Sequence, residues 1–143
     1  METLQQKLQE IGRKNLAAVA VFEKNGKMLC GLRHYTPDKW QTVSVWTTPG
    51  GRCDPGETIE ATLRREVGEE VGFESFKIIE FLGEFSGAKE GDIVYGFRCV
   101  TDEEPQLMEP EKFSEWHWFT PSEIPTNFIN PPIINFLKEK LAK

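Results

Sequence analysis

The spacing of the apolar residues changes from a strand pattern to a helical pattern near the middle of the chain, and this change limits the possible folds most. Before Pro49, β-type runs occupy residues 16–22, 27–33 and 42–48, and Asn25-Gly26 is a hairpin signal between the first two. From about residue 57 to residue 71 the apolar residues follow a helical period instead, and Gly72 is placed to cap that helix. Pro49-Gly50-Gly51 ends the last strand before the change. The chain therefore combines strands with at least one central helix.

The flanking segments repeat this alternation. Leu4, Leu8 and Ile11 predict a short amphipathic helix before Gly12, and Pro121 begins a turn of helix. Further strands are predicted at residues 76–85, 92–100 and 115–119. A final helix begins at Asn130-Pro131, with a buried stripe of Ile133, Ile134, Leu137 and Leu141. The pattern predicts an α/β or α+β layered sandwich, in one domain over residues 1–143.

The length and the charge limit the class of function. The chain has 143 residues, enough for one core, and its 17 Lys and Arg against 23 Asp and Glu give a net charge of −6. This balance disfavours binding to a nucleic-acid duplex but allows a small phosphate-bearing ligand that arrives with a metal ion. The sequence has neither a membrane-spanning apolar run nor a signal-peptide pattern, so we expect a cytoplasmic protein. The sequence does not determine the oligomeric state, and a homodimer is one of the states that it allows.

The cysteines agree with a reducing compartment. Cys30, Cys53 and Cys99 are odd in number, and no two of them form a C-x-x-C pair. A structural zinc site is disfavoured because the usual ligand spacings are missing. We expect three buried or half-buried thiols.

The central helix carries a strip of carboxylates next to its apolar flank. With Glu66 at zero and about 100° per residue, Glu70 lies near 40°, Glu69 near −60° and Arg65 near −100°. Glu66, Glu69 and Glu70 form what we call the carboxylate strip, and Arg65 can pair with Glu69. A solvated acidic face is the alternative. A glycine-rich loop beside such a strip is instead suited to a hard divalent cation with oxygen ligands.

The residues from Gly51 to Phe73 closely resemble the Nudix box, G-x5-E-x7-R-E-U-x-E-E-x-G-U, where U is aliphatic. All of the fixed positions match in type and spacing: Gly51, Glu57, Arg65, Glu66, Glu69, Glu70 and Gly72. A chance match is on the order of 10⁻⁸ per starting position at average residue frequencies. Phe73 stands where an aliphatic residue is usual, and it is still apolar. The strands before the box and the segment after it also look like those of Nudix hydrolases.

The resemblance implies a Nudix-type α/β/α sandwich with a mixed sheet, and hydrolysis of a nucleoside diphosphate linked to another moiety. It implies Mg²⁺, with Mn²⁺ as a possible substitute, held by Glu66, Glu70 and the Gly50 carbonyl. Glu69 is implied as a further ligand or as the residue that handles the attacking water. Arg65 would orient the glutamates, and Glu57 would anchor the loop to the helix.

Residues outside the box are further candidates. Arg33 is a candidate phosphate contact at the end of the second strand, with a surface arginine as the alternative. One of Glu109, Glu111 and Glu115 is a candidate for another metal or water ligand, with Glu111 slightly ahead of the others. An aromatic base-stacking wall is weighed against core packing for Tyr35, Trp40, Trp46, Phe97, Trp116 and Trp118.

Three functions stay open at this point. The short chain looks like small family members that hydrolyse (d)NTPs or oxidised (d)NTPs to a monophosphate and pyrophosphate. The second is hydrolysis of a nucleotide sugar, ADP-ribose or a dinucleotide. The third is a Nudix-like nucleotide sensor without catalysis, which has no need of all three glutamates of the carboxylate strip.

Overall fold

The computed structural model describes residues 3–34, 45–87, 90–125 and 127. These residues contain two α-helices and seven strands, followed by a 3₁₀ turn at Pro121–Glu123. In chain order the elements are α1 (Leu4–Leu8), β1 (Leu16–Lys24), β2 (Lys27–Arg33), β3 (Val45–Thr47), β4 (Gly50–Arg52), α2 (Ile59–Val71), β5 (Lys77–Ser86), β6 (Ile93–Val100) and β7 (Phe113–Phe119).

The strands form one mixed sheet in the order β3-β2-β1-β6-β5, with β4 also paired to β1 and β7 to β2. β1 and β6 are parallel from Leu16↔Ile93 to Phe22↔Cys99, and the other pairs are antiparallel. This mixed α+β architecture confirms the predicted fold class. The predicted final helix lies outside the described residues, so the described helical layer consists of α1 and α2.

Strand β1 divides one edge between two partners. It pairs with β2 at Glu23↔Met28 and Lys24↔Lys27, beside the turn at Asn25-Gly26. Both turn residues have positive φ, 55° and 75°, as a type I′ hairpin turn requires. At its other end, β1 pairs with β4 instead, from Ala17↔Arg52 to Val19↔Gly50. The separation of β1 from β2 therefore lets the glycine-rich segment enter the sheet.

Helix α2 has the ends that its sequence predicts, within two residues. The Thr58 side chain caps it by accepting a hydrogen bond from the Ala61 N–H, so the helix begins at Ile59 rather than at residue 57. Gly72 ends it in the left-handed conformation, with φ 74°, and its N–H donates to the Gly68 carbonyl. The apolar flank lies in a core cluster with the sheet, through Ile59, Leu63, Val67 and Val71.

Two segments differ from their sequence patterns. Helix α1 ends at Leu8, and Ile11 is 57 % exposed and forms an isolated β-bridge with Thr58, so the predicted apolar stripe stops one turn earlier. The Gly50-Gly51 pair does not simply end a strand, because it belongs to β4. Both errors have one cause: pairing with a distant segment overrides the local pattern.

The remaining predicted strands are confirmed with shifted ends. The pattern at residues 42–48 corresponds to β3, for which the structure describes only residues from 45 onwards. β5 and β6 each start one residue later than predicted, and β7 starts two residues earlier, at Phe113. None of the described helices is long and apolar enough to cross a membrane.

Candidate active site

The carboxylate strip lies against β4, and its three members differ sharply in exposure. The side chain of Glu69 is 51 % exposed, that of Glu66 is 19 % exposed, and Glu70 as a whole is 6 % exposed. A Cβ placed on Gly51 would lie 2.5 Å from the carboxyl carbon of Glu66. Glycine at this position therefore lets the Glu66 carboxylate lie directly on the β4 backbone.

Arg65 occupies one side of the strip and has several acidic partners. Its Nε and one terminal nitrogen bind the two Glu57 oxygens at 2.8 and 2.9 Å, which is a bidentate pair. Its other terminal nitrogen lies 2.9 Å from Glu66 and 3.3 Å from Glu69. The predicted pairing of Arg65 with Glu69 is confirmed, and its strongest contact is with Glu57.

Glu57 is held by donors from both the loop and the helix. Its Oε1 accepts hydrogen bonds from the Thr62 hydroxyl at 2.7 Å and from the Asp54 N–H at 3.1 Å. The Arg65 guanidinium and these donors lower the pKa of Glu57 to about 2. The Asp54 carboxylate lies 3.5 Å from Arg65 as a further partner. Glu57 thus joins the loop to α2 by hydrogen bonds with Asp54, Thr62 and Arg65.

Glu70 occupies the other side of the strip and is enclosed. Its Oε1 accepts a 2.9 Å hydrogen bond from the Gly50 N–H, and no Arg or Lys forms an ion pair with it within the described part of the chain. Burial raises its pKa to about 8, and the nearby charge of Glu66 acts in the same direction. Burial also raises the pKa of Glu66, although Arg65 opposes that shift. Burial therefore disfavours the ionised form of both neighbouring carboxylates, and of the two only Glu66 has an arginine partner among the described residues.

Arg33 and Glu109 act on Glu70 from other elements. The positive charge of Arg33, at the end of β2, lowers the pKa of Glu70, whereas the negative charge of Glu109 raises it. The Arg33 guanidinium carbon lies 5.9 Å from the centre of the Phe113 ring, and its buried Nε has no hydrogen-bond partner among the described residues. The charge of Arg33 thus acts on Glu70, and its contact with a phosphate stays a prediction.

The three glutamates after the box lie in different environments. Glu109 is partly buried and lies 3.5 Å from Lys112, whose charge also reaches Glu66. Glu111 is exposed, and Glu115 is an exposed residue of β7 opposite Leu32. Glu109 is therefore the member of this group for which the structure gives a direct electrostatic effect on Glu70. The loop that carries it is tied to α2, because the Gln106 N–H donates to the Val71 carbonyl at 2.9 Å.

The donor set fits a hard divalent ion better than zinc. Glu66 and Glu70 supply carboxylate oxygens on adjoining turns of α2. The backbone of Gly50 lies beside them, because its N–H donates a hydrogen bond to Glu70. Within the described residues no group of three or more His, Cys, Asp or Glu side chains is placed to hold a metal ion. Mg²⁺ needs only one or two carboxylates because it retains water and binds substrate phosphates, whereas zinc sites use three or four protein ligands.

The cysteines and the described aromatic residues belong to the packed interior. All three cysteines are free and buried, and burial raises the pKa of Cys53 and so disfavours its nucleophilic thiolate. Phe97 is fully buried, and Trp46, Trp116 and Trp118 pack against the two core clusters, as expected of core residues. Tyr35 and Trp40 lie outside the described residues.

Sequence reasoning did not identify Asp54 and Thr62 as partners of the site. Both lie within five residues of Glu57 in the sequence. The Thr62 hydroxyl donates to the Glu57 carboxylate, and the Asp54 carboxylate lies 3.5 Å from the Arg65 guanidinium. Thr62 lies four residues after the Thr58 cap and faces the loop. Residues four apart share one face of a helix, so the position of the cap would have placed Thr62 on the loop side. Asp54 lies in the loop, where no periodic signal applies.

Comparison with known proteins identifies the family. The model of the NUDIX domain matches residues 12–139. An RNA pyrophosphohydrolase of Gluconobacter oxydans is 26 % identical over 125 residues, which are 74 % of this chain and 71 % of that protein. A NAD-capped RNA hydrolase of Deinococcus radiodurans is 35 % identical over 100 residues, which are 59 % of this chain but only 30 % of that protein.

The fold comparison agrees with the sequence comparison. The crystal structure of a MutT NUDIX hydrolase from Burkholderia pseudomallei has a TM-score of 0.65 and 21 % sequence identity, and the match covers 88 % of this chain and 98 % of the other. The match to the domain model extends over most of the chain, and the site residues of the box lie in β4, in the loop after it and in α2. On this evidence the chain belongs to the Nudix hydrolase family.

Proposed function

We propose that the protein is a Mg²⁺-dependent pyrophosphohydrolase that converts (d)NTPs or oxidised (d)NTPs to nucleoside monophosphates and pyrophosphate. The observation that carries this proposal is the enclosed Glu70 carboxylate beside Glu66, which accepts a backbone N–H and has no ion-pair partner among the residues that the structure describes. Burial of an ionised carboxylate is costly unless a cation compensates it. A bound Mg²⁺ would supply that compensation, bridge phosphate oxygens and lower the pKa of a bound water.

The residues divide the remaining work. Glu66, Glu70 and the Gly50 carbonyl would hold the ion, and the exposed Glu69 would act as a further ligand or handle the attacking water. Arg65 orients Glu66 and Glu69 by direct contact, and Glu57 fixes Arg65. Arg33 would contact a substrate phosphate, and Glu109 or Glu111 would position a metal or water. Water is the proposed nucleophile, because Cys53 is buried with a raised pKa.

The comparisons favour one second candidate. Relatives whose names describe them as RNA pyrophosphohydrolases and a NAD-capped RNA hydrolase make the 5′-phosphate end of an RNA a candidate substrate. The reaction would be of the same kind as with a (d)NTP, since a phosphoanhydride bond at the 5′ end of the nucleotide or of the RNA is hydrolysed in both. Nucleotide sugars, ADP-ribose and dinucleotides remain further alternatives, and so does a catalytically silent sensor.

A substrate panel with matched glutamate variants tests the proposal. The panel contains canonical and oxidised (d)NTPs, a 5′-triphosphate RNA, a nucleotide sugar, ADP-ribose and a dinucleotide, each with Mg²⁺ and with excess chelator. We expect monophosphate and pyrophosphate from the triphosphates, and no turnover with chelator. The control variant is Glu60→Gln, because Glu60 lies on the same helix and pairs with Arg64 instead of contacting the site.

The outcomes separate the alternatives. Full turnover in chelator would refute the metal dependence, and tight nucleotide binding without turnover would identify a sensor. Hydrolysis in ¹⁸O-labelled water is expected to place one label at a single phosphorus, by direct displacement. A trapped phosphorylated or nucleotidylated enzyme would overturn the choice of water as nucleophile.

A further inference from the structure

The segment that follows α1 is bonded to the start of the candidate site. The Gly12 N–H donates to the Glu57 carbonyl at 2.7 Å, and the Ile59 N–H donates to the Glu10 carbonyl at 2.9 Å. Between these bonds, Ile11 forms an antiparallel bridge with Thr58. Residues 10–12, which we call the N-terminal brace, therefore pair with Glu57 and with the first residue of α2.

The brace also packs closely on the loop of the site. A Cβ placed on Gly12 would lie 2.5 Å from the Cβ of Cys53 and 3.2 Å from the Glu57 carbonyl oxygen. A contact this close admits only glycine unless the loop moves. The position of the loop from Cys53 to Glu57 is consequently coupled to the position of the brace.

A polar cluster around the buried side chains of Lys7 and Tyr95 holds the brace from the side of the sheet. The Tyr95 hydroxyl, on β6, donates a 2.8 Å hydrogen bond to the Glu10 carboxylate. Lys7 is 8 % exposed, and its Nζ lies 3.3 Å from the Tyr95 hydroxyl and 3.5 Å from Glu10. The same Nζ lies 4.5 Å from the centre of the Tyr95 ring and 3.6 Å from Glu84. The buried Lys7 ammonium group requires polar or aromatic partners, and Glu10 is one of them. The cluster therefore holds the Glu10 side chain in place.

Glu10 connects the two sets of contacts within one residue. Its carboxylate is bound to β6 through Tyr95, and its carbonyl accepts the N–H of the first residue of α2. The adjoining bond from Gly12 reaches Glu57, whose carboxylate holds Arg65 by two hydrogen bonds, and Arg65 holds Glu66. A displacement of Glu10 would therefore reach Glu66 through a short series of direct contacts.

We propose that Tyr95 and Lys7 are positioning residues of the active site, which act through Glu10 and the N-terminal brace on the Glu57–Arg65–Glu66 array. This inference rests on the proposed function only for its kinetic test. Neither residue touches the carboxylate strip, so their effect is on its alignment. Misalignment of a reacting centre lowers the rate of the chemical step more than it weakens substrate binding.

The experiment compares Tyr95→Phe with Thr120→Val. Each variant loses one hydroxyl that donates to a glutamate carboxylate, at 2.8 Å in Tyr95 and 2.7 Å in Thr120, and Thr120 lies just after β7, near the hairpin end of β2. For Tyr95→Phe we expect kcat to fall by about threefold to tenfold with KM unchanged, less than is typical for direct partners of metal ligands. Thr120→Val is expected to keep the kcat of the wild type.

Amide hydrogen exchange in the metal-free protein gives a second readout that does not depend on turnover. The N–H groups of Gly12 and Ile59 should exchange faster in Tyr95→Phe, while that of Gly72, at the far end of α2, should be unchanged. Glu10→Gln, which keeps an acceptor but loses the charge near Lys7, should show the same pattern more weakly. Unfolding midpoints measured alongside identify any general loss of stability.

Each outcome decides the proposal. Faster exchange at Gly12 and Ile59 with a selective fall in kcat supports it. Wild-type exchange and wild-type kcat in Tyr95→Phe would overturn it, and so would equal losses of kcat in Tyr95→Phe and Thr120→Val. An inactive wild-type protein would refute the proposed function instead, and the exchange experiment would still test the coupling between the brace and α2.

Discussion

Glu57 and Glu70 lie on opposite sides of the carboxylate strip, and their carboxyl groups have opposite surroundings. Glu57 accepts hydrogen bonds from Arg65, Thr62 and the Asp54 N–H, and its pKa falls to about 2. Glu70 accepts one from the Gly50 N–H, lies beside Glu66, and has a pKa raised to about 8. The same residue type is thus strongly favoured as an anion on one side and disfavoured on the other.

The difference separates two tasks within one motif. On the side of Arg65 and Glu57, which we call the arginine side, the protein supplies the compensating positive charge itself. The result is a fixed array of side chains. On the side of Gly50, Gly51, Glu66 and Glu70, which we call the glycine side, Glu70 has no Arg or Lys ion-pair partner among the described residues, and we propose that a metal ion supplies the positive charge. The comparison predicts that substitutions on the glycine side affect metal-dependent chemistry, whereas those on the arginine side affect the alignment of that chemistry.

The largest expected effect is on the glycine side. Glu66→Gln and Glu70→Gln should each lower kcat by at least ~10²-fold, because each removes a preorganised charge at the reacting centre. Steady-state kinetics at saturating Mg²⁺ measures the effect, with Glu60→Gln as the control on the same helix. Near wild-type kcat in either variant would show that its carboxylate is not a metal ligand.

The arginine side should give a smaller effect. Arg65→Lys keeps the positive charge but cannot form the bidentate pair with Glu57, so we expect kcat to fall by roughly tenfold. Arg64→Lys is the matched control, because Arg64 pairs with Glu60 outside the strip. If Arg65→Lys lost as much activity as Glu70→Gln, the two sides would not have separate tasks.

A third experiment asks which glutamate after the box belongs to the glycine side. Glu109→Gln should lower kcat by about threefold to tenfold and leave KM similar, as expected for an interaction made mainly in the transition state. Glu111→Gln should have a smaller effect, since Glu111 is exposed whereas Glu109 acts electrostatically on Glu70. The reverse order would restore Glu111, which the sequence slightly favours, as the functional residue.

The smallest expected effect concerns stability without metal. Glu70→Gln should raise the unfolding temperature in chelator at neutral pH by a few degrees, because an amide avoids the cost of protonating or of burying the Glu70 carboxylate, whose pKa is raised to about 8. Glu57→Gln should lower it, because an ion pair with Arg65 is broken. Differential scanning calorimetry with and without Mg²⁺ measures both changes in unfolding temperature. If Mg²⁺ stabilised Glu70→Gln as strongly as the wild type, Glu70 would not be a metal ligand.

The sequence predicts the helix of the site better than its loop. The limits of α2 follow from the Thr58 cap and from Gly72, which are local signals. The angular positions of Glu69 and Glu70, about 100° apart, anticipate that one is exposed and the other lies toward the apolar flank. The pairing of β4 with β1 and the bridge from Ile11 to Thr58 could not be predicted, because each depends on residues more than thirty positions away.

Because β2 and β4 pair with different ends of β1, the strands beside β2 are attached to β1 separately from the site. Strands β3, β2 and β7 form a ladder that joins β1 at the residue pairs beside the hairpin turn, while β4 and α2 are attached to the opposite end of β1. Substitutions in this ladder can therefore shift Arg33, the proposed phosphate contact, and leave the hydrogen bonds of Gly50 and Glu66 in place. Under the proposed assignments, substrate preference can change by mutation of the ladder while the proposed metal ligands stay the same.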